Sequence, residues 1–189
     1  MRKRLILLLF VVLFSAACGG KIENAVNWEV EKFEHIDQNG HPFSKDDLRG
    51  KVWVANFIFT NCQTVCPPMT ANMARLQRML KEEGLDDVHL VSFSVDPEVD
   101  TPEKLADYAF RFTEDFSNWH FLTGYAQKYI EQFAEKNFHL FVHKPEGEEQ
   151  VNHGTDFFLV NQEGNIVKYY SGLDVPYEEI VHDVKILLN

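Results

Sequence analysis

The sequence has little cysteine, three in 189 residues, and no second closely spaced pair to set beside Cys62 and Cys66. That excludes a disulfide-stapled scaffold and a four-thiolate zinc site. Basic residues are also scarce, 18 Lys and Arg against 29 Asp and Glu, for a formal net charge of −11. Such a chain does not hold nucleic acid or an anionic lipid surface through its overall charge. Repeats and low-complexity tracts are absent. No apolar run exceeds Leu5 to Phe14, which is short for a membrane span. What remains is ordinary for a globular protein, with 45% hydrophobic and 25% charged residues, and enough length for one domain and a short appendage.

The appendage is N-terminal. Arg2-Lys3-Arg4, the apolar run, and Ser15-Ala16-Ala17 form the three regions of a signal peptide. Cys18-Gly19-Gly20 follows directly and resembles the lipobox of bacterial lipoproteins, with Ser15 where that motif favours leucine. The resemblance implies a signal over residues 1–17 and an acylated, palmitate-bearing Cys18. A tether would follow to residue 27, then one domain over 28–189, lipid-anchored on the extracytoplasmic face of the cell membrane. Loss of the signal removes Arg2, Lys3 and Arg4 and takes the charge from −11 to −14. With Cys18 acylated, Cys62 and Cys66 form a self-contained pair: a disulfide, a dithiol or a metal site.

The chain alternates strands and helices. Glu29 to Phe43 predicts a hairpin with a type I′ turn at Asn39-Gly40, and Ser44 to Arg49 a short helical turn. Val52 to Phe59 lacks a polar face and predicts a strand covered on both sides. Met69, Met73, Leu76 and Leu80 keep helical spacing up to Gly84. A buried strand follows over Val88 to Val95, with Asp96-Pro97 as its closing turn. Thr101 and Pro102 read as N-cap and first helical position. Trp119 to Leu122 is a strand, Thr123 to Lys136 a helix, and His139 to Val142 a short strand. After a charged loop, Lys144 to Gln150, come a hairpin (Phe157 to Val160, Ile166 to Tyr170) and a last helix opened by Pro176, with Ile180, Val184, Leu187 and Leu188 inward. The order predicts an α/β, thioredoxin-like fold: a central mixed sheet flanked by helices, with an N-terminal β-hairpin.

Three residues separate Cys62 from Cys66, and Pro67 disfavours helical geometry at Cys66, so the helix is expected to begin at Pro67. Both sulfurs then lie near a helix N-terminus, where partial positive charge favours thiolate. A bridge closing so little chain gains little as a staple. Two thiolates leave zinc short of ligands, but with an imidazole they suit copper. Of eight histidines, His139 and His143 flank the charged loop, whereas His153 follows it and precedes the strand at Phe157. In a thioredoxin-like fold the turn there faces the cysteines and usually holds a proline, and none occurs between Val151 and Val160. The loop Lys144 to Gln150 is a hinge candidate for bringing His153 in.

Asn56 to Thr70 (NFIFTNCQTVCPPMT), Ser94-Val95-Asp96-Pro97 with Asp100-Thr101, Phe121 to Gly124, and His153 before Phe157 together resemble the Sco/SenC family, chiefly its bacterial lipoproteins. The resemblance runs from about Trp28 to the last helix. It implies a thioredoxin-like fold and one copper ion, Cu(I) or Cu(II), held by Cys62, Cys66 and His153. It also implies a role in building the dinuclear copper centre of cytochrome c oxidase, by delivering copper or by reducing that site's cysteines. The partners implied are the oxidase's copper-bearing subunit, and other copper chaperones or thiol reductants. Gly154 departs from the family pattern and predicts a looser ligand loop. Two other chemistries fit: a thiol–disulfide oxidoreductase with Cys62 and Cys66 as its redox pair, and a peroxiredoxin-like peroxidase.

Overall fold

Apolar runs without alternation have no face to give to water, and here they become the middle of a sheet. The computed structural model describes residues 20–189. In order the chain forms β1 (Trp28–Glu29), β2 (Glu34–Ile36), β3 (Pro42–Ser44), a 3₁₀ turn (Lys45–Leu48), β4 (Trp53–Ile58), α1 (Cys66–Glu82), β5 (His89–Ser94), α2 (Pro102–Ala109), β6 (Trp119–Leu122), α3 (Gln127–Phe138), β7 (Val142–His143), β8 (Asn152–His153), β9 (Asp156–Val160), β10 (Asn165–Ser171) and α4 (Tyr177–Leu188). Six strands make the central sheet in the order β1-β10-β9-β4-β5-β6. β4 pairs parallel with β5, and β5 with β6, while β9 runs antiparallel to β4 and β10. A mixed sheet with flanking helices is the expected thioredoxin-like architecture.

Every residue of β4 is buried. On one face Phe57, Phe93 and Phe158 meet Phe133 and Phe138 of α3 in edge-on and tilted contacts. Such pairs contribute about 0.5–1.5 kcal/mol each beyond the area they bury. A short polar chain crosses three strands inside the sheet: Ser92 Oγ donates to Asn56 Oδ1 (2.6 Å), and the Trp119 indole N–H donates to Ser92 Oγ (2.9 Å).

Local chemistry moved several boundaries. The β2–β3 turn is not type I′, because Gly40 has positive φ (78°) and Asn39 does not. The Asp37 carboxylate instead accepts the N–H groups of Asn39 (2.8 Å) and His41 (2.9 Å), and the Gly40 N–H bonds Asp37 O. That is a type I turn followed by a left-handed glycine, the three-residue hairpin solution. α1 starts one residue early, at Cys66, since a first turn needs no N–H from Pro67 or Pro68. α3 starts four residues late, because Thr123 exchanges both backbone bonds with Ile36 and its hydroxyl donates to Asp100 O. His139 is the left-handed cap of α3 (φ 50°) instead of a strand residue. In α4, Ile180 and Val184 are buried, but Leu188 is 43% exposed. The segment after Lys21 lies on the domain: Ile22 is buried, and the Val26 N–H donates to Val167 O (2.8 Å). Among the described residues no helix is long and apolar enough to cross a membrane, and Cys18 lies outside them.

Candidate metal centre

The chain leaves β4 at Ile58 and turns through Thr60-Asn61 before α1. Buried Asp100 fixes the turn: its carboxylate accepts the Thr60 N–H (3.2 Å), the Thr60 hydroxyl (2.5 Å) and the Ser94 hydroxyl (2.6 Å). Burial pushes this carboxyl above its ordinary range, against those three donors.

Cys62 and Cys66 are free thiols, 5% and 0% exposed. The Cys66 N–H at the head of α1 donates to Cys62 Sγ (3.3 Å). The Cys66 thiol, aided by backbone N–H groups of Cys66, Thr64 and Val65, holds the Cys62 thiol well below the ordinary range despite burial. The same pairing, together with burial, drives the Cys66 thiol far up. Of the two, Cys62, which borders solvent, is the sulfur that favours the thiolate, and buried Cys66 the one that favours the thiol.

His153 reaches the pair from the β7–β8 hairpin, in which Val142 faces His153 and His143 faces Asn152. Its Nδ1 lies 2.7 Å from Gly154 O. A carbonyl only accepts, so Nδ1 carries the proton, and Nε2 presents its lone pair 3.4 Å from Cys66 Sγ. Burial keeps the ring neutral by lowering its pKa, and Phe59 packs edge-on against it (5.7 Å). Gly154 has a packing role in this loop: a Cβ there would stand 2.3 Å from Leu140 Cδ1, so the glycine admits Leu140 into the hairpin.

The structure thus gathers Cys62, Cys66 and His153 at one end of the sheet. Cys62 and His153 border an open cavity of about 470 Å³, also lined by Val65, Phe141 and Asn152, with Cys66 buried beneath. The other candidate histidines are elsewhere. His139 packs on Trp28 (4.3 Å), and exposed His143 stands 3.8 Å from Glu131. Asp96-Pro97 closes β5 as a turn, with the Val99 and Asp100 N–H groups on Asp96 O. Asp96 also does something the sequence did not signal: its Oδ1 accepts from Lys144 Nζ at 2.6 Å, across 48 positions.

Two thiols and a neutral imidazole are soft and borderline donors, a set that suits copper and leaves zinc one ligand short. Two ligands on one metal with bonds of 2.0–2.3 Å lie about 3.5–3.8 Å apart, close to the Cys66–His153 separation of 3.4 Å. Among the described residues no three such side chains already stand as a closed cage. Cys62 Sγ accepts the Cys66 N–H, while Cys66 Sγ faces His153 Nε2.

The SCO1/SenC family pattern matches residues 23–189. A SCO1 protein homolog of Bacillus subtilis is 50% identical over 177 residues, 93% of this chain and 91% of its own length. The structure of a SCO1/SenC family lipoprotein from Bacillus anthracis superposes with TM-score 0.87 at 54% identity, covering 89% of this chain and 100% of its own. BsSco, described as a member of the Sco family of cytochrome c oxidase assembly proteins with a disulfide switch, gives TM-score 0.82 at 49% identity, with 89% and 98% coverage. A copper-bound structure, ScoI of Arabidopsis thaliana, gives 0.70 at 28% identity, with 84% and 97% coverage. From the family match over nearly its whole length and the half-identical relative, this chain belongs to the SCO1/SenC family.

Proposed function

We propose that this chain binds one copper ion through Cys62, Cys66 and His153 and serves assembly of the dinuclear copper centre of cytochrome c oxidase. The observation that carries the reading is the His153 ring. Its Nδ1 proton is tied to Gly154 O and its free Nε2 points at Cys66 Sγ, 3.4 Å away. An imidazole fixed in that tautomer beside two thiols is set up as a ligand. Copper is cargo in this reading. The residues supply a thiolate at Cys62, a second sulfur once Cys66 loses its proton, and a neutral nitrogen. The copper-bound relative and the assembly role described for BsSco support the reading. Lipid on Cys18 would keep the domain at the outer face of the membrane, with the oxidase's copper-bearing subunit as recipient and other copper chaperones as donors.

Titrating copper into the reduced and the oxidised soluble chain (residues 19–189) tests this. One equivalent should bind the reduced form only, and binding should weaken by orders of magnitude in Cys62→Ser, Cys66→Ser and His153→Ala. Equal binding by reduced and oxidised protein would overturn the assignment.

The lowered Cys62 thiol favours a second reading, reduction of a partner's disulfide. Cys62 thiolate would attack one partner sulfur and release the other as thiolate. Cys66 would then give up its proton and attack Cys62, leaving a Cys62–Cys66 disulfide and the partner's second thiol. A mixed disulfide trapped by Cys66→Ser supports it; turnover of an oxidised partner unaffected by Cys62→Ser sinks it.

A further inference from the structure

A hairpin of two residues on each strand does not hold itself together in water. Yet β7–β8 must keep the His153 nitrogen beside Cys66. Val142 and Val151 are buried in the core, and the hairpin's polar restraint comes from its first connecting residue. Lys144 Nζ reaches Asp96 Oδ1 (2.6 Å), with side chains only 15% and 1% exposed. The Lys144 N–H donates to Glu131 Oε1 (2.9 Å), and Gln127 Nε2 ties Glu131 (3.4 Å) and Val95 O (3.0 Å) to the same place. The other side of the loop has one exposed bond, Gln150 Nε2 to Asn61 O at 3.4 Å. Asp96 is itself fixed by its N–H on Ser94 Oγ (3.1 Å) and by the turn it shares with Asp100. Asp100 in turn clamps Thr60, two residues before Cys62.

We propose that Lys144 and Asp96 are positioning residues for the metal site, a nearly buried ion pair that locks the His153 hairpin to the same β5–α2 turn that clamps the cysteine loop. One turn then sets the frame for both ligand segments. The Lys144 loop, a hinge candidate by its sequence, is pinned at its first residue.

The inference rests on His153 being a ligand, so its test has an arm without metal. Removing one charge strands the other in a buried place, so the informative variant is the double Asp96→Asn/Lys144→Met. In the reduced, metal-free protein, native-state exchange of the hairpin amides (Val142, His143, Asn152, His153) should speed up at least about 10-fold, with β4 amides unchanged. Copper affinity should fall about 10-fold, the lower end for groups that orient metal ligands. Lys144→Arg should keep both near the parent values. In a His153→Ala background the double substitution should have no further effect on copper affinity, because the pair acts through His153. Unchanged hairpin exchange would overturn the proposal, as would a copper penalty of equal size with and without His153. If His153→Ala alone left copper affinity intact, the ligand assignment would fall instead, and the exchange arm would judge the lock by itself.

Discussion

Gly172 is where three parts of the centre crowd together, and alanine there is the sharpest test of the packing. Its N–H donates to Thr155 O (2.8 Å), two residues after His153. A Cβ would stand 2.3 Å from that oxygen and 2.9 Å from both Met69 Cγ and Phe157 Cε1, where ordinary contact begins at 3.4 Å. Met69 lies in the first turn of α1 beside Cys66, and both it and Phe157 are fully buried. The oxygen is backbone, held by the neighbouring pairing of Ser171 with Asp156, so it has no rotamer to escape into. The φ of Gly172 is not positive, so the cost is steric alone. Overpacking costs about 1–3 kcal/mol, and three contacts including one to backbone put Gly172→Ala at about 3 kcal/mol. For a domain of this size that lowers Tm by about 6–12 °C. Gly154→Ala is the internal control: its 2.3 Å clash is with the end of the Leu140 side chain, which can turn away. It should cost about 1 kcal/mol. Thermal and urea unfolding of the reduced, metal-free chain would measure both. If Gly154→Ala cost as much as Gly172→Ala, or Gly172→Ala cost under about 1 kcal/mol, the distinction between backbone and side-chain crowding would be wrong.

Two further outcomes follow from the titrating groups. Cys62, held low by the Cys66 thiol and backbone N–H groups, stays thiolate as pH falls below the ordinary thiol range; mass-resolved alkylation should label Cys62 before Cys66 from pH 8 down past about 6, and equal labelling of both only at alkaline pH would refute the assignment. His35, buried among Phe33, Tyr125, Tyr129 and Phe133 with Nε2 unpartnered among the described residues, is lowered by burial from 6.5 to about 4. The unfolded chain takes up that proton first, so stability is full above about 6.5 and falls as pH drops toward about 4. His35→Phe should remove that part of the slope in urea titrations, and an unchanged slope would count against it.

The β4 run, the Met69 to Leu80 stripe and the Thr101-Pro102 start were legible because each is a local pattern with one physical solution. Thr101 does cap α2, its hydroxyl accepting the Lys104 N–H at 3.4 Å. The Cys62–Cys66 spacing pointed to soft chemistry for the same reason, and the strand at Phe157 located His153. What stayed hidden was long-range. Nothing near Thr123 announces that Ile36 takes its backbone bonds and delays α3. Lys144 reads as one charge among many in its loop until Asp96 is found beneath it. Gly154 looked permissive because the residue that fills its empty side, Leu140, lies across the hairpin. The Asn39-Gly40 dipeptide misled because the Asp37 carboxylate supplies a competing set of acceptors.

The docking of Ile22 against the domain has a consequence for where the protein can act. Only four residue steps separate it from Cys18, and a fully extended chain spans at most about 14 Å over that distance. A domain of this length has a radius of gyration of about 15 Å. Acylated at Cys18, the protein would be a short-leashed body resting on the bilayer, with no stalk to lift it. Its search for a recipient would then be two-dimensional, by lateral diffusion, and only sites presented within one domain height of the lipid surface would be within reach.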